Sequence, residues 1–354
     1  MNPMNGSIRA DVAIAGGGII GLSLGLELQR RGLSVVVVER QQAMSSASWA
    51  AGGMLAVHDP QNPPELMPLS VRSWELYPEY LRRVEQLSGK QVPLRTRRAM
   101  QYVEPGQGNG HTATAEEMAQ FAPGLDATGH TFKWIDEGSL DPNDLHEALP
   151  PAFRAAGGTL LEETEMLGFK SVTGGVVVET TRGPVAAGMF VNCLGAWAGD
   201  AERGLGKLPV RPVKGQMGNL RCAPERLRCV VRAPGIYLIP RGDGRVTFGS
   251  TLEDAGFDET VAEERIRQMA QMARRLLPEA EAPEQMDMWA GLRPGTPDTL
   301  PILGRAEAEH CWHATGHYRD GILLAPATAH LMAQAMLGEA TDVALDGFAP
   351  GRFM

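Results

Sequence analysis

Residues 11–40, DVAIAGGGIIGLSLGLELQRRGLSVVVVER, restrict the possible fold more than any other stretch of the chain. Asp11 to Ala15 is a short apolar run suited to a buried parallel strand, and it enters Gly16, Gly17 and Gly18 without a polar linker. From Ile19 to Arg31 the apolar residues Ile20, Leu24 and Leu28 recur every four positions, as a helix laid on a sheet requires, and Gly32 suits a left-handed C-terminal cap. Leu33 to Val38 then reads as a second buried strand, ending at Glu39. The glycines fall as G-x-G-x-x-G at Gly16, Gly18 and Gly21. The first permits a tight turn, the second lets a pyrophosphate approach the backbone, and the third lets helix and strands lie close. The helix N-terminus would present free N–H groups to phosphate. Glu39 stands where a carboxylate can accept hydrogen bonds from both ribose hydroxyls of an adenosine, which disfavours a 2′-phosphate and hence NADP. A glycine triplet alone is a weak signal; with its flanking strands, helix and acid it predicts dinucleotide binding.

At 354 residues the chain is long for one core, so two domains are expected. The formal net charge of −9, with no basic run, argues against a nucleic-acid or anionic-membrane partner. No apolar run reaches the length of a membrane span, and the N-terminal MNPMNGSIRAD lacks the order of a signal peptide, so a cytoplasmic location is expected. Cys193, Cys222, Cys229 and Cys311 are scattered and expected to be free thiols.

After Glu39 a run of small residues leads to Gly52 and Gly53 and then to the apolar Met54 and Leu55, a segment able to approach a ligand closely. Leu66 to Leu87 has helical spacing, with Pro78 expected to kink or divide it and Gly89 to end it. Residues 91–131 change to short strands and loops with a helical turn at 115–121, as an insertion would. A helix follows from about Asn143 to Ala156, then a strand at 159–161 and a β-meander over 165–185 turning at Gly174-Gly175. Residues 189–199, MFVNCLGAWAG, read as a buried strand running into a second glycine turn beside the nucleotide site. Ile236–Pro240 and Arg245–Ser250 form a hairpin around RGDG, and Thr260 with Glu263 suggests a capping box for a helix ending at Pro278. From Pro301 the α/β texture returns, with a strand at 311–315, the loop GHYRDGI and a helix from Pro326 to Leu337. The nucleotide domain is thus expected to be discontinuous, over 1–90, 135–210 and 301–354, with a substrate domain over 91–134 and 211–300. The fold class is α/β: a Rossmann-type domain plus an α+β domain carrying an antiparallel sheet.

The run HCWHATGH invites a metal reading, but adjacent residues on a strand point to opposite faces, and a strand entering a loop is favoured. Hydrolase motifs are absent. Arg293 in WAGLRPGT sits among apolar residues, where an unpartnered guanidinium is costly. Either a substrate carboxylate or a structural Asp or Glu would answer it, and Arg319 raises the same question. Tyr237 has a hydroxyl able to bind a carboxylate, or it is ordinary core.

The motifs GGGIIG, AAGGML, PVKGQM, YLIPR followed by GRVTFGST, WAGLRPGT, PILGR and GHYRDGILLAPAT occur in this order. In this the chain resembles the D-amino-acid oxidase family of flavoproteins, and within it the glycine oxidases of the thiamine-biosynthesis type, over essentially its whole length. The resemblance implies FAD, held non-covalently because no cysteine falls near GLRPGT. It implies cofactor contacts at Gly16, Gly18, Ile19, Ile20, Gly21, Glu39 and Arg40, then at Ala47, Ser48, Gly52, Gly53, Met54 and Met166. It extends them through the loop His317, Tyr318, Arg319, Asp320, Gly321, Ile322 and Leu323. Arg293, Arg319 and Tyr237 match the substrate-contacting residues, and Met54 and Leu252 would narrow the pocket. Gly235 and Leu252 depart from the family pattern, which bears on substrate range more than on reaction type. The implied reaction is oxidation of glycine, sarcosine or small D-amino acids by hydride transfer to flavin N5. Dioxygen reoxidises the flavin to give hydrogen peroxide, and the imine feeds hydrolysis or thiazole synthesis. A homo-oligomer such as a tetramer is implied too. The rivals are a dehydrogenase subunit of the same fold that passes electrons to a quinone or protein, and a flavin-binding subunit without turnover.

Overall fold

The computed structural model describes residues 8–104, 110–199 and 207–353; residues 1–7, part of the N-terminal segment read above for a signal peptide, lie outside them. The opening unit is β1 (Ile8–Ala15), α1 (Ile19–Arg30) and β2 (Val35–Val38). The two strands pair in parallel, from Val12 opposite Val35 to Ala15 opposite Val38. Gly32 closes α1 in the left-handed region at φ +87°. Its N–H donates to Gln29 O and that of Leu33 to Leu28 O, the two bonds that satisfy the last carbonyls of a Schellman end.

The chain then runs through β3 (Met54–Leu55), α2 (Met67–Ser88), β4 (Ala99–Val103), α3 (Ala115–Phe121), β5 (Thr131–Ile135), β6 (Gly138–Ser139), α4 (Pro142–Ala155) and β7 (Thr159–Leu161). β8 (Met166–Val172), β9 (Gly175–Thr180) and β10 (Val185–Asn192) form the meander. Next come β11 (Arg211–Arg221), β12 (Val230–Ala233), β13 (Ile236–Pro240), β14 (Arg245–Gly249), α5 (Glu263–Leu276) and β15 (Met288–Gly295). β16 (Ile302–Arg305), β17 (Cys311–Thr315) and α6 (Gly321–Met336) complete the regular elements.

Two large sheets result. The first has the order β16-β17-β10-β1-β2-β7, with β9 and β8 branching from β10. Its central pairs are parallel and β16 is antiparallel to β17. Alternation along β1 serves both faces. Val12 and Ile14 enter the core under α1, α2, α4 and α6, whereas Ala13 and Ala15 join Val178, Phe190 and Cys311 on the other side. The second sheet has the order β15-β11-β14-β13-β12-β4-β5, and its core with Phe248, Ile266 and Leu276 lies beneath α5. Residues 99–135 extend it: β4 and β5 join at the β12 edge, β4 parallel to β12. One parallel pair therefore interrupts the antiparallel sheet expected from sequence.

Helix ends differ from the sequence expectation where tertiary partners intervene. α2 runs unbroken through Pro78, anchored by buried Tyr77 and Leu81 on either side of it. α5 begins after Ala262 with no side-chain cap, because Thr260 Oγ1 donates to Asp258 Oδ2. α6 begins at Gly321, five residues before Pro326, which lies inside it. Proline has no N–H for the carbonyl four residues back, here that of Ile322. The Tyr77 hydroxyl donates to that carbonyl at 2.5 Å. Ser73 Oγ, one turn earlier on α2, donates to Leu323 O at 2.6 Å and accepts from Ala327 N at 3.1 Å. α2 thus supplies the hydrogen bonds that the proline removes.

Candidate active site

An elongated cavity runs from the C-terminal ends of β1 and β2 to the face of β11, β13 and β15. A crevice at the carboxyl ends of parallel strands is where open α/β sheets bind ligands. At its first end Gly16 adopts φ +107°, and a Cβ there would stand 2.2 Å from Cys193 O, so both conformation and space require glycine. Gly18 precedes α1 with its bare Cα open except for Ser48 Oγ, and Ser48 accepts the Ile19 N–H at 3.0 Å. Gly21 lies behind this surface, where a Cβ would meet Gly16 O at 2.0 Å; it fits helix to turn without lining the cavity. Glu39 accepts from Gly17 N at 2.8 Å and from Gln41 N at 2.9 Å, which orients its carboxylate and leaves acceptor capacity on both oxygens. The Arg40 guanidinium lies 3.8 Å over the Trp197 ring, which also stacks with Phe257. Met166 is a buried part of the same lining.

The small-residue loop forms the middle of the wall with Ala47, Ser48, Gly52, Gly53 and Met54. Trp289 Nε1 donates to Ala50 O at 3.1 Å and ties this loop to β15. The opposite wall is the start of α6. His317, Tyr318, Arg319, Asp320, Gly321 and Ile322 line it, whereas Leu323 is fully buried in the core behind. Burial pushes the His317 imidazole down to about 3, so the ring is neutral, and its Nε2 lies 3.0 Å from Thr328 Oγ1. Burial pushes the Asp320 carboxyl up to about 6, opposed by Asn62 and by the positive charge of Arg319.

At the far end the cavity meets Arg293, Tyr237, Met217 and Ser250. Arg293 Nη2 donates to Ser250 Oγ at 2.7 Å and Nη1 to Thr251 O at 3.3 Å. Among the described residues no carboxylate ion-pairs with it. Of the two explanations open to sequence, a structural acid is therefore missing from its surroundings. Among the described residues Tyr237 OH has only the weak acceptor Met217 Sδ, at 3.6 Å.

Two expected neighbours of Arg293 are placed otherwise. Arg319 lines the cavity, but its guanidinium donates to Gln61 Oε1 and Asn62 Oδ1 and lies 3.9 Å from Asp59. These contacts occupy Nη1 and Nη2, the pair of donors that would face a carboxylate, while Nε is buried without a partner. Leu252 is 65% exposed and outside the lining, because the chain leaves β14 for the surface just before it. Conversely, sequence reading passed over Trp197, Ser250, Gly215 and Met217, which line the cavity. GAWAG, GST and KGQM were visible as motifs, but no local pattern aimed them at a common space. The four cysteines are free, and no group of three potential metal ligands occurs among the described residues.

Two helix N-termini, those of α1 and α6, open on one elongated cavity with glycine at the points of closest approach, which fits a dinucleotide with a redox-active ring at its far end. The family model described as FAD dependent oxidoreductase (DAO) matches residues 11–335. A glycine oxidase of Pseudomonas aeruginosa is 34% identical over 96% of this chain and 98% of its own. A bifunctional protein ThiO/ThiG of Synechocystis sp. is 36% identical over 98% of this chain, which spans 54% of that longer protein. The crystal structure of glycine oxidase from Geobacillus kaustophilus superposes with a TM-score of 0.90 at 32% identity, over 98% of this chain and 100% of that one. The cavity, its glycine fingerprint and these likenesses agree: the chain belongs to the DAO family of FAD-dependent oxidoreductases.

Proposed function

We propose that this protein oxidises glycine and other small amino acids or amines, such as sarcosine and small D-amino acids, at the α-carbon. The single observation that carries the reading is Arg293. It is a guanidinium on the wall of the cofactor cavity, oriented by neutral oxygens and without an ion-pairing carboxylate among the described residues. A substrate carboxylate matches its fork with two parallel hydrogen bonds. Tyr237, whose hydroxyl has only a thioether to bond, would take the remaining carboxylate oxygen. Met54 and Met217 also line the cavity and would limit this end to a short substrate.

FAD, when bound, supplies the two-electron acceptor that takes the α-hydrogen and passes its electrons to dioxygen as hydrogen peroxide. The chain itself positions and stabilises. Gly16, Gly18 and Glu39 would hold the dinucleotide end, and the loop from Ala47 to Met54 would hold the middle. Arg293 and Tyr237 fix the substrate's orientation, which is worth several powers of ten without any acid or base. The amine must be neutral for its lone pair to assist hydride departure. Among the described residues His317 is the one histidine on the lining; it is held neutral and lies within hydrogen-bond distance of Thr328, so no base for the α-proton is assigned. The N-terminus of α6, with the N–H groups of Gly321 and Ile322, would stabilise negative charge on a bound cofactor. The imine is released for hydrolysis or for thiazole synthesis.

The cofactor is held without a covalent link. Cys193, the one cysteine on the lining among the described residues, packs against Gly16, and burial holds its thiol protonated. The test is peroxide formation by the purified yellow protein supplied with glycine and air. Stoichiometric peroxide and glyoxylate support the reading; turnover seen only with an artificial dye would replace oxygen by another acceptor.

A further inference from the structure

Arg293 and Gly215 lie on one face of neighbouring strands. In the β11–β15 ladder Val213 faces Arg293 and Gly215 faces Gly291, so Gly215 is the diagonal neighbour of Arg293 and within reach of a long side chain. A Cβ built on Gly215 would stand 2.0 Å from Nη1, 2.3 Å from Nη2 and 2.4 Å from Cζ of Arg293. The three nearest heavy atoms all belong to one guanidinium. The φ of Gly215 lies outside the left-handed region, so the backbone conformation does not demand glycine. By contrast, the facing Gly291 is pressed by the Ala50 side chain, at 2.5 Å from a Cβ built there. The Arg293 fork therefore lies across the bare Cα of β11, where it meets Ser250 Oγ and Thr251 O.

We propose that Gly215 is a positioning residue for the substrate's carboxylate, acting through Arg293 by having no side chain. A methyl group there evicts the guanidinium from the surface on which it reaches Ser250 and Thr251 together. The backbone pairing of β11 with β15 is untouched, because the obstructed atoms are the far end of a flexible side chain. The parallel pair of donors is then no longer presented to a carboxylate. This inference rests on the reading of Arg293 as the carboxylate clamp.

The test uses FAD-loaded protein with acetate, a carboxylate that lacks the amine, titrated against the flavin absorbance. Wild type is compared with Gly215→Ala, Arg293→Ala and the double variant. In Gly215→Ala the acetate Kd and the glycine KM rise roughly 10- to 100-fold. FAD affinity and thermal midpoint stay near wild type, while kcat/KM on glycine falls together with the acetate affinity. The double variant binds acetate no more weakly than Arg293→Ala alone, since the methyl has no fork left to displace. Wild-type acetate affinity in Gly215→Ala, additive losses in the double variant, or failure of Gly215→Ala to fold and hold FAD would each overturn the inference while leaving the clamp intact. Unchanged acetate affinity in Arg293→Ala would overturn the clamp and the inference together.

Discussion

Arg293 brings a full positive charge to the cavity wall and meets only a hydroxyl and a carbonyl oxygen. Such a group has strong residual affinity for an anion, and truncating a buried charged partner costs roughly 2–5 kcal/mol. Arg293→Ala should accordingly bind FAD normally and lose about 1.5 to 3.5 powers of ten in kcat/KM on glycine; steady-state kinetics near wild type would refute the assignment. Lys at this position keeps the charge but not the fork, so Arg293→Lys should fall between the two. Asp320 presents the opposite case, a carboxyl whose burial disfavours its charge. Its value in the folded state, about 6, exceeds the ordinary 3.8, so the folded state binds the proton more tightly than the unfolded chain. Its protonated form is therefore at no disadvantage below the ordinary value. Stability is lost as the pH rises from there to about 6, and the loss is constant above it. Asp320→Asn removes that penalty and should gain on wild type across this window, by up to about 3 kcal/mol. Thermal midpoints of the two proteins measured from pH 4 to pH 7.5 check this; a gap that does not widen would contradict it.

Among the elements, α6 is the one whose placement depends most on distant partners. Its first turn lines the cavity, yet its sixth residue is proline, and the carbonyl of Ile322 that the proline leaves without an N–H is satisfied by Tyr77 from α2. Tyr77→Phe leaves that buried carbonyl unpaired and should cost about 1–3 kcal/mol in denaturant unfolding. Adding Pro326→Ala restores an N–H four residues on, and should recover part of the loss. If the second substitution adds to the damage, Tyr77 stabilises by some other contact. The same elements show what the sequence could and could not convey. The glycine fingerprint, the Gly32 end of α1, the hairpin of β13 and β14 and the turn at Gly174 are dictated by neighbours a few residues away, and each was legible. The start of α6 and the continuity of α2 through Pro78 were not, because the price of a proline depends on who occupies the freed carbonyl, and Tyr77 is 245 residues from Ile322. The capping box of α3 was legible in principle: Thr114 and Glu117 carry its signature and make both bonds.

At the scale of the whole molecule, the two sheets contribute opposite ends of one cavity. The first gives the glycine turn, Glu39 and the α6 N-terminus; the second gives Arg293, Tyr237 and the floor at Gly215. This division explains why site residues differed in how readily the sequence revealed them. Gly16, Gly18 and Glu39 belong to one contiguous motif. Arg293 was conspicuous as a lone charge among apolar residues, but its freedom from an acid became apparent only in three dimensions. Arg319 looked equivalent in sequence, and the loop at Asp59, Gln61 and Asn62 takes it out of that role. The stack of Arg40, Trp197 and Phe257 joins segments far apart in the chain, with no local pattern to announce it. The proposed function requires that a small amino acid deliver two electrons to a flavin in this cavity. Anaerobic titration of the purified protein with glycine, followed at the visible flavin bands, tests that most directly. Bleaching of the flavin by glycine, reversed by air with release of one peroxide per flavin, is the predicted result; a flavin left oxidised by glycine, sarcosine and D-alanine alike would contradict it.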